Sequence, residues 1–126
     1  DEVNFQGITV YDLQMSNIEV QKEVSLSNAS FMGNLYFNYV TCGNTVSFAF
    51  SRYLGRVDIL QCQFNGDVSM ERALFYGQVR FNRSKFEKDI QLVDSRFFLE
   101  PELKDIIVTQ PISIETIESK TIKINP

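Results

Sequence analysis

The side chains that could do chemistry here are carboxylates, hydroxyls and two thiols, because the 126-residue sequence contains no histidine. Without imidazole there is no Ser-His-Asp or Cys-His nucleophile pair, and the usual zinc ligand is missing. Cys42 and Cys62 are too few for a disulfide framework or a four-thiolate metal site. Glu87, Asp89, Asp94, Glu100 and Glu102 lie near one another, as the paired carboxylates of a glycoside hydrolase would. Arg80, Arg83, Lys85, Lys88 and Arg96 are interleaved with them, which is the pattern of a solvated, ion-paired surface. Nor does the chain carry long loops that could build a sugar-binding cleft. The same basic cluster could touch phosphate, but its acidic neighbours cancel most of the field, and no glycine-rich phosphate loop occurs. Asn28-Ala-Ser and Asn82-Arg-Ser match the N-glycosylation pattern and are read as incidental. No catalytic, cofactor-binding or metal-binding residue is expected.

The remaining candidates are aromatic. Tyr36, Tyr39, Phe50 and Phe98 exceed what a buried core would need and are candidates for a protein contact patch. What must position them is a chain of one-domain size, with 44% hydrophobic and 22% charged residues, a balance that argues for an ordered core. No apolar run is long enough to span a bilayer and no leader sequence is visible, so a cytoplasmic protein is expected, or a secreted effector if the segment belongs to a longer chain. Residues 1–50 carry five acids and one base, and residues 51–100 seven acids and eight bases. Neither a basic nucleic-acid footprint nor a dense acidic face results, so nucleic acid is not an expected partner.

The elements themselves follow from repetition. Val68, Met70, Ala73 and Phe75 are followed by Val79, Phe81, Ser84 and Phe86, then by Ile90, Leu92, Ser95 and Phe97. This unit, V-x-F-x-x-S-x-F, recurs every eleven residues from Leu13, and Val3, Phe5, Ile8 and Val10 join it by a ten-residue step. Alternation within the unit predicts very short strands with one face buried, and helical spacing is absent. Every 22 residues the side chains match more closely. Phe31, Tyr53, Phe75 and Phe97 form an aromatic column, and Ala29, Ser51, Ala73 and Ser95 a column of small residues. Val24, Val46, Val68, Ile90 and Ile112 form a β-branched column. Like stacks on like, which predicts an all-β helix with four sides, about 22 residues per coil and nearly six coils. Gly33, Gly55, Gly66, Gly77 and Asn44 fall at corners, where a permissive backbone is expected.

The signature [ASV]-x-[FL]-x-x, as in ALFYGQVRFNRSKFEKDIQL, resembles that of the pentapeptide-repeat proteins, in the variant with alternating five- and six-residue steps. The resemblance implies a right-handed, four-sided β-helix. It further implies a core of Phe31, Phe48, Phe64, Phe75, Phe81, Phe86 and Phe97, with Ala29, Ser51, Cys62, Ala73, Ser84 and Ser95 in the tighter inward slot. On that reading Cys42 and Cys62 are buried free thiols, which fits a reducing compartment. The match is best over residues 13–99 of the single domain 1–126. Pro101, Pro111 and Ser119 depart from it and predict a less regular, flattened or capped end over 100–126. PELKDI is the only helix-like fragment, so no helical cap is expected, and open coil ends should pair with another copy or with the rest of a longer polypeptide.

The function expected is a non-enzymatic protein-binding or scaffold module, part of a larger bacterial protein. The resemblance implies two alternatives: a DNA mimic acting on DNA gyrase or topoisomerase, and the recognition domain of a secreted bacterial effector.

Overall fold

A computed structural model describes residues 3–118 and 120–126. Most strands are two residues long, and they stack in parallel to form the sides of a coil. The first side is the column Val3–Asn4, Val24–Ser25, Val46–Ser47, Val68–Ser69 and Ile90–Gln91. The second is Thr9–Val10, Ser30–Phe31, Arg52–Tyr53, Leu74–Phe75 and Arg96–Phe97. A sheet of seven strands bends round a corner to supply the other two sides. Leu13–Val20 and Leu35–Cys42 cross that corner; Val57–Leu60 and Val79–Arg80 continue the third side, and Gln63–Phe64, Lys85–Phe86 and Ile107–Val108 the fourth. Partners lie 22 residues apart, as Val46 with Val68 and Phe75 with Phe97, and 21 apart in the first coil, as Val3 with Val24. The molecule is a β-solenoid of about five turns.

The aromatic column is continuous. Phe31, Tyr53, Phe75 and Phe97 stack with centroid separations of 5.0, 4.9 and 4.8 Å and interplanar angles of 12°, 9° and 11°. These separations match the roughly 4.8 Å between adjacent strands, so each ring lies flat on its counterpart one coil below. Tyr53 puts a hydroxyl into this stack, fully buried and without a hydrogen-bond partner, and burial pushes its phenol up. In the buried tight slots the polar groups donate to carbonyls of the coil below, whereas the half-buried Ser95 donates to Leu92 O of its own coil at 2.8 Å. Ser51 Oγ donates to Leu26 O, Ser84 Oγ to Ile59 O at 3.1 Å, and Cys62 Sγ to Phe37 O at 3.6 Å. Serine is therefore tolerated in the core because each coil presents a carbonyl to it.

The corners work differently from the expectation drawn from glycine. Positive φ recurs every eleven residues, at Asn17, Asn28, Tyr39, Phe50, Gln61, Arg72, Arg83, Asp94 and Asp105, the residue just before each tight slot. Gly7 continues the series, but Gly33, Gly55, Gly66 and Gly77 do not have positive φ, and neither does Asn44. Those glycines are required by space. A Cβ at Gly66 would lie 2.6 Å from Asn44 C, and one at Gly55 would strike the carbonyl oxygen of Gly33. Two corners of each coil are thus turned by a left-handed residue, and at the others Gly33, Gly55 and Gly77 after the second side and Gly66 after the fourth let successive coils close up.

The C-terminal end departs from the expected sixth coil. On the third side, inward residues donate their N–H to the next coil, as Leu35 does to Arg56 O and Val57 to Gln78 O. Pro101, buried in that slot, has no N–H, so the column ends there, and PELKDI forms a turn rather than a helix. Ile112 does not stack on Ile90 in a parallel column. It pairs with Ile124 in an antiparallel hairpin, Ile112–Glu115 with Thr121–Ile124, whose Ile112, Ile114, Ile122 and Ile124 pack on the core. The chain caps this end itself, with strands rather than a helix. Ser119 lies outside the described residues.

Four substitutions probe the stack and the corners. Phe75→Asp is expected to abolish the cooperative melting transition, because it buries a carboxylate between two rings. Tyr53→Phe is expected to stabilise by about 1 kcal/mol in denaturant unfolding, by removing an unsatisfied hydroxyl. At the corners, Gln61→Asn is expected to gain about 0.5 kcal/mol at a left-handed position. By contrast, Gly55→Ala should lose about 2 kcal/mol through overpacking, although alanine is normally the better residue.

Candidate interaction surface

Cys42 and Cys62 are free thiols inside the solenoid. Burial pushes the Cys42 thiol up to about 12, with Cys62 beside it adding to the effect, and burial pushes Cys62 up to about 11 against two backbone hydrogen bonds. Neither is a thiolate at neutral pH, so neither is a nucleophile. Of the five clustered carboxylates, three are ion-paired, and Asp89 makes no ion pair among the described residues. Glu87 meets Lys85 at 2.9 Å, Asp94 meets Arg72 at 3.7 Å, and Glu100 meets Lys120 at 2.8 Å. Glu102 accepts a hydrogen bond from Asn82 Nδ2 at 2.6 Å. Asp58 and Arg80, one coil apart, form a bidentate pair at 2.8 and 3.0 Å that raises the arginine. No group of three potential metal ligands occurs among the described residues. The serine of Asn82-Arg-Ser is buried and donates its hydroxyl to Ile59 O.

The four aromatic candidates do not form one patch. Tyr36 is half-buried on the third side, and Tyr39 is exposed at the corner that follows it. Phe50 is exposed at the corner between the first and second sides, with the Arg72 guanidinium 5.9 Å from its ring centroid. Phe98 lies beyond the second side and stacks on Tyr76 at 4.4 Å. Tyr36 and Tyr39 share only the second coil, which carries no charged residue in a stretch that extends from Val24 to Ser51.

Phe98 belongs instead to a column that sequence reasoning did not single out. Just beyond the second side, Tyr11, Met32, Leu54, Tyr76, Phe98 and Ile117 point outward one above the other. Their register is set by five backbone hydrogen bonds: Met32 N to Val10 O, Leu54 N to Phe31 O, Tyr76 N to Tyr53 O, Phe98 N to Phe75 O, and Ile117 N to Phe97 O, all between 2.8 and 3.1 Å. Every rung is apolar, and Tyr11, Met32, Leu54 and Tyr76 are 72%, 43%, 38% and 37% exposed. Six rungs about 4.8 Å apart make a stripe about 24 Å long, running from the first coil to the hairpin. Gly33, Gly55 and Gly77 follow Met32, Leu54 and Tyr76 directly and leave the stripe unscreened on that side. Arg52 and Arg96 stand on its other side and make no ion pair among the described residues. The signal was available in the sequence. The same 22-residue spacing that orders the core also relates Met32, Leu54, Tyr76 and Phe98.

No helix among the described residues is long and apolar enough to cross a membrane. Comparison with protein-family models, with curated proteins and with solved structures returns no match to this chain.

The buried thiols give the fold a pH dependence with a definite sign. In the folded state they stay protonated up to about 11 and 12, against an ordinary value of 9.0. Above pH 9 the unfolded chain therefore holds fewer protons than the folded one, and stability falls as pH rises from about 9 towards 11. The melting temperature is expected to be unaffected by thiol ionisation below pH 8.5 and to fall above it. Cys42→Val should lessen that alkaline slope.

Proposed function

We propose that this domain is a non-enzymatic protein-binding or scaffold module that uses the second side of its solenoid as the contact face. The observation that carries the reading is the unbroken apolar column Tyr11, Met32, Leu54, Tyr76, Phe98 and Ile117. A continuous apolar stripe on the outside of a folded domain costs solubility unless something covers it, and aromatic and methionine side chains flanked by arginine are the composition of protein interfaces. Rigidity supports the same reading. The rungs are held by the backbone ladder, so little ordering entropy is lost when they are covered. The resemblance of the repeat to that of the pentapeptide-repeat proteins is compatible with this reading. The burial of both thiols and the ion pairing of Glu87, Asp94 and Glu100 are compatible with the same reading.

A DNA-mimic reading requires acidic rows along the rod. Here Asp58 lies under Arg80 and Arg72 under Asp94, so the outward columns mix signs, and that alternative is not taken up. Attachment to a larger bacterial polypeptide, or service as the recognition part of a secreted effector, is compatible with a contact face along one side.

Affinity capture with the wild type and with Leu54→Asp and Tyr76→Asp tests the reading. A protein retained by the wild type and by the control Arg83→Glu is expected to be lost at least tenfold with either aspartate, at unchanged melting temperature. Equal capture by all four proteins, or no saturable protein partner at all, would sink it.

A further inference from the structure

The outward column from Tyr11 to Ile117 lies on a side of the solenoid whose backbone is already paired. Leu54 N donates to Phe31 O and Tyr76 N to Tyr53 O, both at 2.9 Å, and the strands of this side form one continuous parallel sheet. A segment laid over these side chains meets no free backbone donor or acceptor in the middle of the face. It must satisfy its own N–H and C=O groups. An extended strand does not do so, and an α-helix does.

We infer that the stripe holds one amphipathic α-helix of the protein partner, laid along the solenoid axis, with two carboxylates about seven residues apart on one flank of its apolar face. The inference rests on the contact face proposed above and names what covers it.

Pitch selects the same element. The rungs of the stripe lie about 4.8 Å apart, and the turns of a helix about 5.4 Å apart, so side chains of successive turns settle between successive rungs with a drift of about 0.6 Å per turn. Same-face side chains of an extended chain are about 6.7 Å apart and fall out of step by about 2 Å at every rung. The whole stripe, about 24 Å long, takes a helix of about 16 residues. Beside it, Gly33, Gly55 and Gly77 form a shelf without side chains, and a helix about 10 Å across rests on both stripe and shelf.

Charge places the carboxylates. Arg52 and Arg96 are exposed and stand on the flank away from the glycines, two coils and so about 9.6 Å apart. Neither makes an ion pair among the described residues, and Glu115, one rung beyond Arg96, is not within ion-pair distance of it. Residues seven apart on a helix lie on one face, separated by about 10.5 Å. Acids at that spacing meet both guanidinium groups, whereas lysines there are repelled. A second copy of this chain is the poorer occupant. The stripe offers about 240 Å² under a body of helical width, and a stable dimer takes about 800 Å² from each partner.

Selection of random displayed peptides of about 20 residues against the 126-residue chain, counter-selected on the Leu54→Asp protein, tests this. The enriched peptides are expected to share apolar residues at helical spacing, to carry acids seven apart on one flank, and to gain helical circular dichroism on binding. For such a peptide, Arg52→Glu together with Arg96→Glu should raise the dissociation constant about tenfold at unchanged melting temperature, and lysines in place of the two peptide acids should restore affinity for that variant. Peptides that bind without gaining helical signal, or an affinity indifferent to the arginine pair, would overturn the inference and leave the contact face standing. No peptide enriched over the Leu54→Asp protein would also overturn it. In that case a partner captured by the wild type and lost with Leu54→Asp still upholds the face, and its absence removes both.

Discussion

Residues 22 positions apart in this solenoid are held about 4.8 Å apart, because backbone hydrogen bonds between successive coils allow no other spacing. That one constraint propagates to every column. Inside, a ring must lie flat on a ring, which is why Phe31, Tyr53, Phe75 and Phe97 all have interplanar angles of 12° or less to their neighbours. A small slot must stay small, and a fully buried polar hydrogen in it finds the carbonyl of the coil beneath, as those of Ser51, Cys62 and Ser84 do. At the corners a backbone oxygen of one coil occupies the space a Cβ would need in the next, so glycine follows from the spacing and not from φ.

The same constraint acts on the outside, where nothing in the core requires uniformity. Opposite charges one coil apart become ion pairs, as Asp58 with Arg80. Apolar residues one coil apart become a continuous stripe, as from Tyr11 to Ile117. A solenoid converts a 22-residue period into a linear surface feature, and this chain uses that conversion for hydrophobicity on one side. At the C-terminal end the translational order breaks, where Pro101 and the hairpin stop the stack.

Most of the architecture was legible because the repeat is a direct record of it. Alternation gave the short strands, and the match of Val46 to Val68 and Phe75 to Phe97 at 22 residues gave the coil length that the pairing register shows. The ten-residue step at the N-terminus also reappears, as the 21-residue register of Val3 with Val24. The candidate contact residues were read less well. Tyr36, Tyr39, Phe50 and Phe98 were chosen as aromatics in excess of the core, which places each outside but says nothing about which side it occupies. Only Phe98 shares a column with exposed apolar residues; Met32 and Leu54 in it are not aromatic, and the aromatic Tyr11 and Tyr76 stand out only when the 22-residue spacing is followed on outward as well as inward positions.

Local sequence determined the period, the inward columns and the absence of imidazole chemistry, since each depends on residue type at fixed spacing. The tertiary structure decided the rest, because those outcomes depend on what lies across a contact. Ile112 fits a sixth coil by type, yet it pairs with Ile124, since Pro101 offers no N–H to continue the third side and the hairpin covers the core instead. Gly55 and Gln61 sit at successive corners of one coil, and only the position of the neighbouring coil decides that the glycine is needed for space while the glutamine takes the left-handed turn.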